Sequence, residues 1–429
     1  MEFSAVAKIL IIFFGVLAVS RLRIPLGAGL IGGGLALDYW AGKSTNDLPI
    51  DFWQAIIRPE LWLLAITITL IMEIGHFMAS DENGKAILSL ARRYGGKHGQ
   101  AFSLVIIPAA IGLVPMPGGA LFSAPLVGKT AENSNNSAEW KAAVNYWFRH
   151  ILEYWWPLYP VVIVTLSIFT LQTWKFMLLQ IPFTFISLGA GYFFLIRNHE
   201  FSFKIENDEE ENIPNIAQVL LPIAIIVLAT LLLPGLFHKI FPGLNSASCK
   251  LSAMLTGLVI SLAIIWSNRK HLSRKMFSDI GSPKTMNVFI TLAGVMIFES
   301  LLDSSGLIPQ AGKELSQGNV PIALIIAFLP FLAGLVTGIA IGFAGAAFPI
   351  VVGFVSADAS LHPIASLVLA FSMGYAGMML SPVHLCFLLT VDYFSASFLK
   401  VYKYLLPCVL AVMVFGIFLY QILQMLLKH

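Results

Sequence analysis

The chain alternates long apolar runs with short polar breaks. Apolar runs of crossing length lie at about 4–20, 24–40, 59–78, 148–171 and 176–196. They resume at about 214–236, 250–267, 285–302, 362–395 and 403–426, the fourth of these interrupted by polar residues and Pro382. About 20 apolar residues span a hydrocarbon core of roughly 30 Å. In lipid the backbone must satisfy its own hydrogen bonds, so the pattern predicts membrane-spanning helices. Two further runs do not fit one crossing. Gly99 to Gly128 holds no charged residue and as one straight helix would measure about 45 Å. Pro108, Pro115, Pro117 and Pro125 each remove a backbone donor, and Gly118-Gly119 invites a reversal. The expected shape is two half-length limbs joined at an irregular tip. A second charge-free run, Leu315 to Ala357, contains GLVTGIAIGFAGAAFPIVVG from Gly334 to Gly353. Re-entrant hairpins are therefore expected at about 99–128 and 318–356.

The two halves carry matching landmarks. Gly112 and Gly334 both open a Gly-Leu-Val that turns Gly-rich and then reaches a proline. Glu73 in LIMEIGHFMASDE corresponds to Glu299 in VMIFESLLDSSG at nearly the same offset, and Pro157 in EYWWPLYP to Pro382 in MLSPVHLC. The expected fold is an all-α polytopic membrane protein of two repeats, 1–196 and 214–429, each with five crossings plus a re-entrant hairpin. An odd number of crossings inverts the second repeat relative to the first. The acidic stretch 197–213, RNHEFSFKIENDEEENI, reads as a solvated cytoplasmic linker. An N-out, C-out arrangement puts most of the 26 Lys and Arg residues inside. The first hairpin then dips in from the cytoplasm and the second from outside. Ala18-Val19-Ser20 faintly resembles a signal-peptidase site, but Glu2 and a single Lys8 make a poor leading region. The first segment is expected to be a retained helix.

Composition agrees and excludes much else. The chain is 58% hydrophobic and 11% charged, with a mean hydropathy of +0.83, as in polytopic membrane proteins. The net charge of +3 comes without a basic block, so no nucleic-acid partner is expected. Cys249, Cys386 and Cys408 lie far apart in or beside apolar runs. They show no metal spacing and read as small packing residues. No Gly-x-Ser-x-Gly elbow, Walker loop or Cys/His cluster appears, and His150-x2-Glu153 is not the metalloprotease His-Glu-x2-His. An enzyme is not expected, nor a cofactor or metal beyond a coupling ion.

Candidate chemistry gathers at the hairpin tips and at charges in apolar surroundings. The N-terminus of a half-helix offers unpaired N–H groups and partial positive charge, an anion site made from backbone. Pro117, Gly118, Gly119, Ser123, Thr337, Gly338, Gly342 and Gly345 are the candidate substrate contacts. Gly334-x3-Gly338-x3-Gly342 fits close helix packing equally well. Arg149, His150 and Glu153 share a helical face in NYWFRHILEYWWPLYP. Arg149 would hold an anion while Glu153 or His150 takes a proton; alternatively the group is an interfacial ion pair ringed by Tyr154, Trp155 and Trp156. Glu73 and Glu299 are the symmetric acids, suited to carrying H⁺ or binding Na⁺, or to pairing near helix ends. His76 lies one turn from Glu73. Ser381 and His384 flank Pro382 in a broken segment whose freed carbonyls suit a cation, although a lone histidine there also serves as a structural residue. Asp392 falls near the inner interface.

Charge-free hairpins, inverted halves and Pro/Gly tips resemble the ion transporter superfamily, which includes carriers of gluconate, citrate, dicarboxylates, lactate, arsenite and sodium/proton exchangers. VPMPGGALFSAPLV followed by RHILEYWWPLYP is similar to a family of uncharacterised integral membrane proteins within it. The resemblance covers the whole chain and implies half-helices framing a substrate, with transport driven by Na⁺ or H⁺. Dicarboxylate carriers of that superfamily place Ser-Asn-Thr at each tip; this chain has Pro-Gly-Gly in one and a Gly/Ala run in the other. The expectation is a secondary active transporter of a small organic anion, working by alternating access in a prokaryotic inner membrane. Its partners would be the lipid bilayer and that anion, with a homodimer left open. A channel and, further off, an intramembrane enzyme are the alternatives.

Overall fold

A computed structural model describes residues 3–22, 24–78, 99–113, 115, 119–132, 136–199, 216–268, 282–317 and 321–427. Among the described residues the secondary structure is helical, with no strands. The first half holds α1 (Ala5–Arg21), α2 (Leu26–Trp40), α3 (Leu48–Ile56), α4 (Pro59–Met78), α5 (Gln100–Gly112), α6 (Ala120–Thr130), α7 (Ala138–His150), α8 (Pro160–Ile168) and α9 (Thr173–Gly191), which runs on into a π turn at Tyr192–Ile196. The second half holds α10 (Ile216–Leu232), α11 (Pro234–Ile240), α12 (Ser246–Asn268), α13 (Pro283–Ser304), α14 (Leu307–Gln317), α15 (Ile322–Thr337), α16 (Ala340–Ala357), α17 (Pro363–Met379), α18 (Leu385–Tyr393) and α19 (Phe398–Leu426).

Among the described residues, five helices are long and apolar enough to cross a membrane: Thr173–Ile196, Ser246–Ser267, Thr285–Ser304, Ala340–Ala357 and Phe398–Leu426. Two bent pairs, Leu48–Ile56 with Pro59–Gly75 and Leu221–Leu232 with Pro234–Ile240, raise the number to seven. The bends of 50° and 52° fall where Pro59 and Pro234 cannot supply a helical N–H. The broad outline of the apolar pattern is thus present, as an integral membrane protein. Most of the proline-bearing runs are broken, and several pieces are shorter than a crossing.

The stretches expected to form hairpins contain the helix pairs α5–α6 and α15–α16, each packed together. In the first, the Gln100 side chain donates to the Thr130 carbonyl, so the two outer ends of the pair lie together. Its limbs have 13 and 11 residues. In the second pair α16 has 18 residues, as long as a full crossing. The tip residues Pro117 and Gly118 lie outside the described residues, as do 200–215 of the acidic linker.

Packing partners come in matched sets. Helix α2 packs on α13 and α12 on α4, α1 on α2 and α10 on α12. Likewise α5 packs on α7 and α15 on α17, α6 on α18 and α16 on α8. Helices α4 and α13 pack on each other, as do α9 and α19. Glycine permits the closest crossings. A Cβ at Gly27 would stand 2.1 Å from the Ile290 carbonyl oxygen, and one at Gly294 would stand 2.4 Å from that of Gly27. No larger residue fits there without parting α2 and α13.

Candidate functional site

Helix α7 starts where Ser137 caps it, its hydroxyl accepting from the Trp140 N–H. The expected crossing at 148–171 is therefore really the end of an earlier helix, a break, and the short helix α8. Every residue of α7 from Ala142 to His150 is buried. The helix stops at His150, and the chain turns through 151–159 before Pro160 starts α8. A break of this kind frees carbonyls and side chains inside the protein, which membrane proteins tolerate where backbone is buried or faces a cavity.

Arg149 is only 1% exposed. Its Nη1 donates to Glu153 Oε1 at 3.2 Å, and Glu153 is also buried. The first hairpin closes over this pair. A Cβ at Gly112 would stand 2.2 Å from the Arg149 carbonyl oxygen, and one at Gly119 would stand 2.3 Å from Arg149 Nη2. One limb thus presses on the Arg149 backbone while the tip presses on its guanidinium. The Tyr159 hydroxyl donates to the Gly112 carbonyl. From the second half, the Tyr375 hydroxyl lies 2.7 Å from the His150 carbonyl and 3.3 Å from Glu153 Oε2. Asn145 Nδ2 reaches the Ala120 carbonyl at 3.3 Å and Thr390 Oγ1 at 3.2 Å, tying the start of α6 to α18. Arg149, Glu153 and Tyr154 lie inside the protein, with Trp155 and Trp156 partly buried beside them.

The second tip has its own seat. Gly338 ends α15 at φ +65°, φ-space that favours glycine. A Cβ there would also stand 2.8 Å from Val383 Cγ2 and 2.9 Å from Ser381 Oγ. Ser381 Oγ donates to the Leu335 carbonyl at 2.7 Å, and Thr337 Oγ1 to that of Ala333 at 2.7 Å. Gly342 faces Thr337 Oγ1. The candidates Thr337, Gly338, Gly342, Ser381 and His384 are therefore neighbours around one tip. The rings of His150 and His384 lie side by side with centroids 5.1 Å apart, with Tyr146 beside both.

Other candidates lie elsewhere. Gly345 faces Val295 of α13, where a Cβ would stand 2.2 Å from a methyl group, so it serves helix packing. Ser123 is fully buried and bonds to the Ala120 carbonyl of its own helix. Glu73 is buried on α4. Glu299 sits on α13 near Arg58, Glu60 and Asp303, at the α3–α4 end rather than with Arg149. The side chain of His76 is outside the described residues.

Sequence reasoning missed four contributors: Asn145, Tyr159, Tyr375 and Cys386. A signal existed for the last, because His384-x-Cys386 is a ligand-like spacing. Its third member, His150, is remote in sequence. His150, His384 and Cys386 bring three ligand atoms within 4.8 Å of one another, all buried.

Electrostatically, the first tip gathers positive charge. Helix α6 begins at Ala120 with Gly119 at its cap, so its partial positive end faces the Arg149 guanidinium. Glu153 is the anion that balances them.

No curated protein matches this chain. One family does, over residues 6–423, a span that takes in both hairpins, both broken segments and every residue of the two clusters. The chain belongs to the family described as "Protein of unknown function (DUF401)".

Proposed function

We propose that this protein is a secondary active transporter, rather than an enzyme, that moves a small organic anion by alternating access, coupled to H⁺ or Na⁺. The observation that carries the reading is the Gly119 tip seated on the buried guanidinium of Arg149. Arg149 supplies donors in a planar fork suited to a carboxylate. Glu153 holds that place in the absence of substrate. A proton on Glu153 weakens its hold and frees the fork, so substrate and proton enter together. The Tyr375 hydroxyl, within reach of Glu153 Oε2 and the His150 carbonyl, steadies the carboxyl in either state. If Na⁺ is the partner ion, the Ser381–His384 break is its natural place, with Glu73 and Glu299 as further acids.

The matched packing partners support two inverted repeats of five crossings and a re-entrant hairpin each, spanning 1–196 and 214–429. So does a detail. Gly112 presses on the backbone of Arg149, and Gly334 presses on that of Gly374, with a Cβ 2.2 Å from the carbonyl oxygen in both cases. The same glycine makes the same contact in each half. In this reading the ends are N-out and C-out, and the chain is a member of the ion transporter superfamily.

A thermal-stability screen of the detergent-purified protein tests the proposal. The ligands are organic acids and inorganic anions, with and without Na⁺, at two pH values. A ligand that binds the folded state raises the melting temperature by mass action. The expected result is stabilisation by a small organic anion that Gly119→Trp abolishes in a monodisperse preparation. Stabilisation that survives Gly119→Trp removes the tip from the site.

A further inference from the structure

The transport reading centres on Arg149 and Glu153 and gives no task to His150 or Cys386, which lie beside His384. We propose that His150, His384 and Cys386 form a binding site for a soft monovalent d¹⁰ cation, Cu⁺, with Ag⁺ as its chemical equivalent.

Three independent observations converge. The first is proximity: one ligand atom from each residue lies within 4.8 Å of the other two. Metal–nitrogen and metal–sulfur bonds of about 2.0 and 2.3 Å need donors about 3.3–3.8 Å apart, a closure that side-chain rotation supplies. The second is the state of the rings. His150 Nδ1 is 2.6 Å from the Tyr146 carbonyl oxygen. A carbonyl can only accept, so Nδ1 carries the hydrogen and Nε2 keeps its lone pair. A backbone carbonyl on the far nitrogen is the usual outer partner of a metal-bound histidine. His384 is 7% exposed, and its Nδ1 has no hydrogen-bond partner among the described residues. The third is the thiol. Cys386 is buried beside His150, and it sits in the first turn of α18, where the negative charge of a thiolate is accommodated.

Ligand type and number select the cation. Two imidazoles and a thiolate are soft donors suited to Cu⁺ or Zn²⁺ and poor for Na⁺, Mg²⁺ or Ca²⁺. Structural Zn²⁺ takes four ligands. Glu153 Oε1, a candidate fourth, is 3.9 Å from His150 Nε2 and already bonded to Arg149. Charge decides further. A thiolate and a monovalent cation cancel, leaving the Arg149–Glu153 pair balanced. A divalent cation leaves an uncompensated positive charge in a buried setting, which is costly. Binding breaks the Cys386 S–H bond and forms S–metal, releasing one proton to solvent per ion. No redox step is involved.

The test is titration of the detergent-purified full chain with Ag⁺ against a competing chelator, recording proton release. We expect one tight equivalent and one proton. Cys386→Ser and His384→Gln should each weaken binding by at least ~100-fold, while Cys249→Ser and Cys408→Ser leave the tight equivalent in place. X-ray absorption of Cu⁺-loaded wild-type protein, which needs no variant, should show two nitrogen neighbours and one sulfur. Absence of a tight equivalent, its survival in Cys386→Ser, its loss in Cys408→Ser, preference for Zn²⁺, or a coordination shell without sulfur overturns the proposal. Anion transport and this site stand or fall separately, because the titration uses no organic anion.

Discussion

Arg149 bears on stability and on function, and the two roles can be separated. Arg149→Met leaves Glu153 buried without its cation, which should cost about 3–5 kcal/mol in stability. Adding Glu153→Met removes the orphan, and thermal unfolding should then return toward the wild-type midpoint. Ligand-induced stabilisation should stay lost in both variants, because the fork that receives the anion is gone. A double variant that still responds to the ligand would assign Arg149 to structure alone. Gly112 and Gly334 make a second residue-scale pair. Gly112→Ala drives a Cβ into the backbone carbonyl of Arg149, and Gly334→Ala into that of Gly374. Backbone cannot swing aside as a side chain can, so each should lower stability by about 1–3 kcal/mol. Gly345→Ala meets a valine side chain instead and should cost less. The sequence made the glycines visible, because Gly-Leu-Val recurs. It could not distinguish a buried Arg149 from one at a membrane surface. The residues that enclose it come from far along the chain, and Tyr375 is 225 residues from the His150 carbonyl that it bonds.

At the scale of elements, the hairpins and the broken segments are the parts to test. If the two hairpins dip in from opposite faces, Lys129→Cys at the base of the first should react with an impermeant maleimide only from the cytoplasm. Ala359→Cys, just beyond α16, should react only from outside. Both positions are exposed, and the native cysteines are buried. Reaction of both from one face would rule out the inverted arrangement. A smaller device joins the halves at one end. Glu314 of α14 accepts from the backbone N–H groups of Ala5 and Val6 at 2.8 and 3.0 Å, holding the start of α1. Burial is the largest single influence and raises the carboxyl, but the Val6 and Ala5 donors, with Ser4 and Lys8, together outweigh it and hold it below the ordinary carboxylate range. The folded form therefore favours the ionised carboxylate. The clamp's contribution is complete above the ordinary range and is lost as pH falls through the lowered value. Hydrogen exchange at Ala5 and Val6 should quicken on acidification relative to the middle of α1, and Glu314→Gln should flatten that response. Apolar periodicity exposed most of these elements in advance, since long runs and prolines are local signals. It missed α3, α11 and α14. Their short amphipathic or proline-led pieces resemble loops until a neighbour gives them a face to pack on.

For the molecule as a whole, we propose that two half-chains hold a charged pair and a hairpin tip at one buried place and expose it alternately to each side. The family spanning residues 6–423 leaves the transported compound open, so the decisive experiment measures flux. The protein is reconstituted into liposomes with an imposed pH or Na⁺ gradient, and uptake is followed for the labelled organic anion that best stabilises it in detergent. The expected uptake saturates, exceeds equilibrium, collapses when an ionophore dissipates the gradient, and is absent in the Arg149→Met, Glu153→Met variant. Uptake that merely equilibrates, does not saturate and persists in that variant would contradict it, and would identify a conducting pore in place of a carrier.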